Sequence, residues 1–279
     1  MELSNNITIH NIWNNYLAKI DKNELFNDKN NNILFWKNKP YTSLEFEQLK
    51  KDNNFNIYNK LLTNRNDIPN KYFYNQCQTS GCNISHVFQL KCIVDYLSLN
   101  LNNCKNILEI GSGYGNLCKL LYNIGYNNHY HICELKNICE ISRKYLELHD
   151  IDLSKLNFNP KNDINYDVYI SFDGISEIDI KHRELLLKNI KYDKIILMFN
   201  KNFNTINNLD YFNNYVKNNI SYEWKLLRLS NYDRYLLIGI KDSEEIMIEM
   251  VEIDKDKPKE TVITEETIGN DIESGIKQN

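Results

Sequence analysis

Several features that would place a protein in a membrane or on a secretory route are missing from this sequence of 279 residues. No apolar run approaches the roughly 20 residues that a membrane-spanning helix needs. Residues 1–6 lack the basic and apolar segments that together make a signal peptide. We therefore expect a soluble protein of the cytoplasm, or of the host cytoplasm if the source is a virus, with no membrane partner.

Paired cysteines are also missing. The seven cysteines are odd in number and form no C-x-x-C pair, and several lie inside apolar strand or helix patterns. We interpret them as reduced and mostly buried thiols of a cytosolic protein. A zinc site built from Cys77, Cys82 and His86 is an alternative, but our expectation is that no metal is bound.

A basic surface for nucleic acid is not evident either. The net charge is -4, and the 11 acidic and 4 basic residues from Ser243 onward leave residues 1–242 with about +3. No basic stripe with interleaved aromatic residues stands out, so we do not expect a nucleic-acid partner. Alanine and proline are rare while Asn, Ile, Lys and Tyr are abundant, a bias typical of an AT-rich genome, as in some large viruses or protists.

Residues 107–121 form the segment around which the rest of the chain is organised. Residues 107–110 (Ile-Leu-Glu-Ile) predict a short buried parallel strand. Gly111, Gly113 and Gly115 follow, and leucines then recur at helical spacing. Three glycines in five residues allow positive φ and leave room for a ligand. The turn leads into a helix N-terminus, which favours a polar or anionic group.

The spacing of these glycines separates two classes of nucleotide cofactor. The dinucleotide fingerprint is G-x-G-x-x-G/A. Here the spacing is G-x-G-x-G, Asn116 occupies the sixth position, and Glu109 precedes the first glycine by two residues. This E-x-G-x-G-x-G pattern resembles motif I of the class I methyltransferases that depend on S-adenosylmethionine (SAM). A strand-to-helix connection that merely needs glycines is the alternative interpretation.

Glu134 is a second acidic signal, about 20 residues beyond the glycines. Residues 129–134 predict the second strand and residues 136–149 the next helix. An acidic side chain at the end of this strand can accept both hydroxyls of a ribose, because a carboxylate has two oxygens. A solvated glutamate at a helix start would fit the same position.

The first third of the chain predicts helices. An apolar face recurs over residues 9–20, a capping box at residues 42–45 opens a helix to about residue 51, and a second helix covers residues 55–62. Residues 72–83 predict a polar loop before an amphipathic helix over residues 85–97, with Val87, Leu90, Ile93, Val94 and Leu97 facing inward. In the methyltransferases that the glycine motif resembles, the loop before such a helix closes over the methionine part of SAM, and this resemblance implies that Gln78, Ser80 and His86 could face the site.

The later strands bring polar residues to the same edge of the sheet. Residues 156–158 are the best candidate for a short third strand, with Asp163 after it. Residues 166–172 predict a clear fourth strand, and a helix over residues 180–190 carries His182. Since sites of open α/β sheets collect at the carboxyl ends of the strands, Ser171, Asp173 and Glu177 are placed for chemistry.

The chain ends in a predicted hairpin and an acidic tail. Residues 194–199 predict the fifth strand, and a helix covers about residues 205–218. Residues 221–229 and 234–240 predict two antiparallel strands, the usual ending of a class I methyltransferase sheet. No second βαβ half follows, which counts against a nicotinamide dehydrogenase.

The predicted fold is therefore α/β, a Rossmann-like class I methyltransferase sheet of parallel strands with a terminal antiparallel hairpin, plus a helical N-terminal extension. We assign residues 1–70 to the extension and 71–242 to the SAM-binding domain. Residues 243–279 form an acidic and mostly disordered tail, in which alternating apolar residues at 246–250 allow one short strand.

Three segments resemble the sugar O-methyltransferase family over about residues 75–240. They are the run at 107–121, Tyr-His-Ile-Cys-Glu-Leu at 130–135 and Ile-Ser-Phe-Asp-Gly-Ile-Ser-Glu-Ile at 170–178. The chain departs from the family in having Lys136 in place of a proline and Ile178 in place of a methionine, and its third-strand region is short. These departures bear on the predicted identity of the acceptor more than on that of the cofactor.

The resemblance implies SAM as the cofactor and a small-molecule acceptor, a sugar or nucleotide-sugar. It implies the following cofactor-binding residues: Glu109, Gly111, Ser112, Gly113, Tyr114, Gly115, Glu134, Leu135, Ser171 and Asp173. A base would take the proton of the acceptor hydroxyl, and the candidates are His86, Glu177, Asp173 and His182, in that order. A methyltransferase of RNA or protein and a non-catalytic SAM-fold protein that binds a partner are the alternatives. Neither the acceptor nor the oligomeric state follows from the sequence.

Overall fold

Helices and strands alternate along the chain after an initial pair of helices. The computed structural model describes residues 42–63, 72–74, 77–97, 103–160, 164–230, 233–241 and 248–251. Its helices are α1 (Thr42–Lys50), α2 (Phe55–Leu62), α3 (Gly81–Leu97), α4 (Asn116–Asn123), α5 (Lys136–Leu148), α6 (Ile180–Asn189) and α7 (Asn208–Asn218). Its strands are β1 (Tyr72–Tyr74), β2 (Cys77–Thr79), β3 (Asn106–Ile110), β4 (His129–Cys133), β5 (Leu156–Phe158), β6 (Asn165–Phe172), β7 (Lys191–Asn200), β8 (Asn202–Phe203), β9 (Ile206–Asn207), β10 (Tyr222–Ser230), β11 (Arg234–Lys241) and β12 (Ile248–Val251).

Eight strands form one sheet in the order β12-β10-β11-β7-β6-β3-β4-β5. The strands from β3 to β7 pair in parallel, and β11 pairs antiparallel with both β7 and β10. This is the predicted class I methyltransferase sheet with its terminal antiparallel hairpin, so the predicted fold class is confirmed. The strand order reverses at β3, which has β4 on one side and β6 on the other. Such a reversal opens a crevice at the carboxyl ends of the strands.

Apolar side chains cover both faces of the sheet. Successive residues of a strand point to opposite faces, so Ile107 of β3 packs with residues of α1 to α5, while Leu108 packs with residues of α6 and α7. Both side chains are fully buried. The central strands are therefore apolar on both sides, as their nearly continuous hydrophobic sequence predicts.

Helices α1 and α2 confirm the two predictions made for residues 42–62. Phe46 of α1 and Leu62 of α2 are buried in the same apolar cluster as Ile93 of α3, so the two helices cover α3. Glu45, the acidic member of the predicted capping box, is buried and accepts a hydrogen bond from Ser85 of α3. The apolar face at residues 9–20 lies outside the described residues, and the three-part division of the chain stays a prediction.

Three predictions around α3 were wrong. The segment predicted as a loop contains β1 and β2, which pair antiparallel; tyrosine and phenylalanine in the sequence of β1 have a strand propensity that the polar surroundings obscured. The helix begins at Gly81 rather than at residue 85, because Ser80 Oγ accepts the Asn83 N–H 3.0 Å away and stabilises the first turn. Val94 was predicted to face inward but is 39% exposed, since it lies at the edge of the buried stripe.

Strands β8 and β9, which pair antiparallel, were not predicted, and β9 occupies residues assigned to the start of the helix at about residue 205. Several other elements differ from the predictions at their ends. Strand β7 begins three residues earlier than predicted, at Lys191. Helix α7 begins at Asn208, where the Asn207 side chain accepts the Asp210 N–H 3.2 Å away. The short strand allowed in the acidic tail exists as β12, which pairs in parallel with β10; the tail from residue 252 onward lies outside the described residues. Within the described ranges, no helix is both long and apolar enough to cross a membrane.

Candidate functional site

The glycine turn after β3 has three residues with positive φ. The φ angles of Gly111, Gly113 and Gly115 are 79°, 56° and 89°. A Cβ at Gly111 would lie 2.5 Å from the Cα of Gly174, so the two backbones cross in contact. A Cβ at Gly115 would lie 3.1 Å from Leu146 Cδ1, which explains this glycine by the packing of α4 on α5.

Gly113 differs from its two neighbours because no packing contact explains it. A Cβ at Gly113 would meet no atom within 4 Å among the residues that the structure describes. The carbonyl of Gly113 accepts a hydrogen bond from Ser142 Oγ of α5 at 2.6 Å, which fixes the turn from below. Gly113 thus leaves open space over the turn at the carboxyl end of β3.

Glu134 lies against this open position. Its Oε2 accepts the Gly113 N–H at 3.1 Å, and its Oε1 accepts the Leu135 N–H at 2.8 Å. Its own backbone N–H donates to Asn159 Oδ1 at 2.9 Å. Burial raises the pKa of Glu134 from 4.5 to about 7, against the lowering effect of the two N–H donors. The turn and the second strand therefore meet through one carboxylate.

Glu109 lies beneath the turn rather than in the open space. It is 4% exposed and accepts the hydroxyl proton of Tyr130 at 2.8 Å. Burial raises its pKa from 4.5 to about 8; the Tyr130 hydrogen bond acts in the opposite direction, and the charge of Glu134 adds to the rise. Two acidic groups of raised pKa thus lie on either side of the turn.

The other predicted cofactor residues near the turn are buried or half-buried. The Ser112 Oγ is buried and has no hydrogen-bond partner among the described residues. Tyr114 is also buried, with its ring 4.7 Å from that of Tyr145. Leu135 is half-buried and contributes its N–H to Glu134. Of these three predicted cofactor residues, Ser112 has unused hydrogen-bonding capacity.

Ser171, the second-last residue of β6, and Asp173, directly after the strand, are occupied by protein contacts. Ser171 Oγ donates to the Ile110 carbonyl at 2.7 Å and accepts the Ile175 N–H at 2.8 Å. Asp173 has a φ of 67°, and its Oδ2 lies 3.1 Å from Nη2 of Arg234, which is 1% exposed. Both side chains hold the segment after β6 against neighbouring strands.

The other candidate bases lie on different elements. Glu177 ends the 3-10 turn Gly174–Glu177, whose first residue contacts the glycine turn. His182 Nδ1 lies 2.6 Å from Oδ2 of Asp179, the residue that caps α6. The contact of His182 is therefore with the N-terminal cap of its own helix.

His86 of α3 reaches the far side of the glycine turn. Its ring centre lies 5.7 Å from that of Tyr114, and Nδ1 lies 2.9 Å from Asn116 Nδ2. Cys82 Sγ lies 3.8 Å from Nδ1 and 3.9 Å from Nε2. The side chains of Cys77 and Gln78 lie outside the described part of the chain, as does Asp163. Across the described ranges, no group of three His, Cys, Asp or Glu side chains could hold a metal ion.

Sequence reasoning missed four residues of this region. Gly174, Ser142, Asn159 and Arg234 each contact a predicted site residue from a distant part of the chain. Single glycines, serines, asparagines and arginines carry no motif of their own. Only Gly174 had a local signal, since it directly follows the predicted strand end at Asp173.

A cavity of about 810 Å³ lies at the opposite edge of the sheet. It is lined by the amino ends of β6 and β7 together with α6 and α7, and it contains Tyr192, Tyr211, Tyr215 and Tyr222. Open α/β sheets bind their ligands at the carboxyl ends of the strands. We therefore assign the candidate site to the glycine turn and not to this cavity.

No protein-family model and no curated protein matches this sequence. Among solved structures, the chain is similar to the methyltransferase domain of bacterial CtHen1, with 15% identity over 55% of this chain and 97% of that chain (TM-score 0.45). It is similar to an O-methyltransferase family protein from Burkholderia thailandensis, with 15% identity over 59% of this chain and 60% of that chain (TM-score 0.42). It is also similar to M. capricolum TrmK in complex with S-adenosylhomocysteine, with 15% identity over 57% of this chain and 70% of that chain (TM-score 0.42). These are likenesses of fold alone.

Proposed function

We propose that this protein is a SAM-dependent methyltransferase that binds its cofactor over residues 111–115 and methylates a hydroxyl of a small molecule, a sugar or a nucleotide-sugar. The observation that carries the proposal is the pairing of Glu134 with Gly113. A carboxylate is fixed by two backbone N–H groups at the carboxyl end of the sheet, beside a glycine whose Cβ position is open.

Glu134 is suited to two adjacent hydroxyls, as on a ribose. Each carboxylate oxygen has about two lone pairs, and each accepts one backbone N–H in the structure. One acceptor position per oxygen therefore remains, and the N–H donors fix the plane of the carboxylate before the ligand arrives. The ionised form accepts both hydroxyls, so binding requires that Glu134 lose its proton.

The turn fits the rest of such a cofactor. Ser112 Oγ is buried without a partner among the described residues and can donate to or accept from a ligand atom. Helix α4 begins after Gly115, which provides no side-chain cap, so its first N–H groups can face a carboxylate of the cofactor. SAM, when bound, supplies a methyl group that its sulfonium has already activated.

The chain itself must orient the acceptor and accept its proton. Asp173 is a weak candidate for the proton acceptor because its Oδ2 is already bound by the buried guanidinium of Arg234 at 3.1 Å. His182 is bonded to Asp179 on its own helix. Glu177 belongs to the 3-10 turn that begins at Gly174, whose backbone contacts Gly111. We assign the role of base to Glu177.

Titration calorimetry with S-adenosylhomocysteine tests the proposal on the full chain. We expect micromolar binding by the wild type and by Glu147→Ala, a matched control because Glu147 is exposed on α5. Glu134→Ala should lose this binding. A wild type that binds no S-adenosylhomocysteine would overturn the proposal.

The acceptor is tested separately with radiolabelled SAM. We expect the wild type to transfer label to nucleotide-sugars. Glu177→Gln should lose this transfer and keep cofactor binding. Label in RNA or protein instead would leave the cofactor site standing and refute the sugar acceptor.

A further inference from the structure

A chain of buried hydrogen bonds runs from α4 through α5 to α3 behind the glycine turn. Lys119 Nζ lies 2.7 Å from Tyr145 OH, which lies 2.9 Å from Asn116 Oδ1. Asn116 Nδ2 lies 3.0 Å from Asn83 Oδ1 and 2.9 Å from His86 Nδ1. Four of these side chains are at most 1% exposed. His86, the last member of this series of hydrogen bonds, is half-buried.

The direction of the hydrogen bonds is fixed at the lysine end. An ammonium group can only donate, so Tyr145 OH accepts from Lys119. The hydroxyl proton of Tyr145 is then available for Asn116, whose carbonyl oxygen Oδ1 lies at this contact. The amide nitrogen of Asn116 therefore points the other way, toward α3.

The direction is fixed independently at the other end. A backbone carbonyl can only accept, so the group of Asn83 that lies 3.2 Å from the Leu61 carbonyl must be the amide nitrogen. The same Nδ2 donates to Thr79 Oγ1 at 3.1 Å. Asn83 thus presents its oxygen to Asn116, which must supply a proton.

Both ends therefore require the same orientation of the Asn116 amide. Its Nδ2 has two protons, one for Asn83 Oδ1 and one for the neighbouring imidazole nitrogen. We infer that Asn116 holds His86 as a neutral imidazole whose Nδ1 accepts and whose ring proton is on Nε2. Reversing the amide would place the carbonyl oxygens of Asn116 and Asn83 against each other at 3.0 Å and would take the Asn116 acceptor away from the Tyr145 hydroxyl, which is unfavourable in a buried site.

Cys82 does not decide the tautomer. Its sulfur lies 3.8 Å from Nδ1 and 3.9 Å from Nε2 of His86, beside the ring rather than in line with either nitrogen. A thiol is also a weak donor and a weak acceptor. The amide of Asn116 at 2.9 Å is the stronger partner.

The tautomer restricts the role of His86 in catalysis. This step rests on the proposed methyltransferase function. With a proton on Nε2 and a donor at Nδ1, neither nitrogen has a free lone pair to take the proton of an acceptor hydroxyl. The Nε2 atom of His86 is then a hydrogen-bond donor and not a base. Asn116 is the positioning residue, since it joins the glycine turn to the ring.

Long-range proton–nitrogen correlation spectra of the uniformly 15N-labelled full chain test the inference without any ligand. His86 is identified by the signals that His86→Gln lacks. In the wild type near neutral pH we expect protonated Nε2 and unprotonated Nδ1. Asn116→Asp places a carboxylate oxygen at Nδ1 and should move the proton to that nitrogen. Asn123→Asp, the same change at an exposed position of α4, should leave the pattern unchanged.

A wild-type spectrum with the His86 proton on Nδ1 would overturn the inference, and a folded His86→Gln for the assignment is the one variant that this result needs. Tyr145→Phe is the second variant. It removes one of the two groups that orient Asn116, and because Asn83 still accepts from the amide, we expect the tautomer with the proton on Nε2 to remain the main one. A folded Tyr145→Phe with the His86 proton mainly on Nδ1 would overturn the inference. Since no cofactor is added, these outcomes are distinct from failure to bind S-adenosylhomocysteine.

Discussion

Glu134 and Gly113 are joined by a hydrogen bond of 3.1 Å between a carboxylate oxygen and a backbone N–H. The bond links the end of the second parallel strand to the turn after the first. Burial raises the pKa of this carboxyl group to about 7. The residue proposed to bind ribose hydroxyls is therefore partly protonated at neutral pH.

The affinity for S-adenosylhomocysteine should consequently depend on pH. The ionised carboxylate accepts two hydroxyls, and with a pKa of about 7 its fraction falls about tenfold between pH 8 and pH 6. We expect about tenfold weaker binding at pH 6, measured by calorimetry. Glu134→Gln should bind weakly and show a flat profile. A wild-type affinity that is equal at both pH values would contradict this assignment.

Glu109 should make the fold less stable at alkaline pH. Burial raises its pKa from 4.5 to about 8, so between these values the folded state holds a proton that the unfolded state has lost. The free energy of unfolding then falls as pH rises through this window. Glu109→Gln cannot ionise and should be more stable than the wild type by about 1 kcal/mol or more at pH 9.

Urea unfolding of both proteins at pH 9 and pH 5 measures this difference. At pH 5 the two should have nearly equal stability, because Glu109 is protonated and glutamine can still accept the Tyr130 hydroxyl. A glutamine variant that is less stable at pH 9 would show that the ionised carboxylate is needed by the fold.

Two glycines of the turn should respond differently to alanine. Gly111→Ala places a Cβ 2.5 Å from the Gly174 backbone and should lower the free energy of unfolding by about 2 kcal/mol or more. In Gly113→Ala the new Cβ makes no such contact. The free energy of unfolding should fall by only about 1 kcal/mol, because a residue with a Cβ is strained at positive φ. The substitution should nevertheless abolish binding of S-adenosylhomocysteine, because the methyl group fills the open space.

Denaturant unfolding and calorimetry on the same two variants separate these effects. Loss of stability in Gly111→Ala together with loss of binding in a stable Gly113→Ala is the expected pair of results. If Gly113→Ala binds as the wild type does, the cofactor does not lie over this glycine.

The ion pair between Asp173 and Arg234 should stabilise the fold. Replacing Asp173 by asparagine removes the charge that the buried guanidinium faces at 3.1 Å, and we expect a loss of about 2 kcal/mol. Asp193→Asn, at an exposed position of β7, is the matched control and should change stability little. Equal stability of the two variants would mean that the ion pair contributes nothing measurable.

Local pattern was sufficient for the parts of the molecule that depend on neighbours in sequence. The glycine spacing and the apolar run before it predicted β3, the turn and α4, and Glu134 was placed by the end of a strand pattern. What sequence reasoning missed depends on the crossing of distant segments. Gly174 is required because two backbones touch, and Arg234 reaches Asp173 from a strand 61 residues further along the chain.

The sequence pattern also did not reveal which sides of a helix the rest of the molecule covers. Val94 matches the apolar spacing of α3, but α1, α2 and the sheet leave that side of the helix exposed. In the same way, Ser171 looked like a ligand residue from its place at the carboxyl end of β6. Its hydroxyl is used by the Ile110 carbonyl and the Ile175 N–H, which no local signal reveals.

The pairing of β12 with β10 bears on the solubility of the protein. Without β12, β10 would be the last strand of the sheet, and its free N–H and C=O groups could pair with another molecule. A short added strand occupies part of that edge, from Trp224 to Leu227. One segment of the tail thus protects the sheet against intermolecular strand addition.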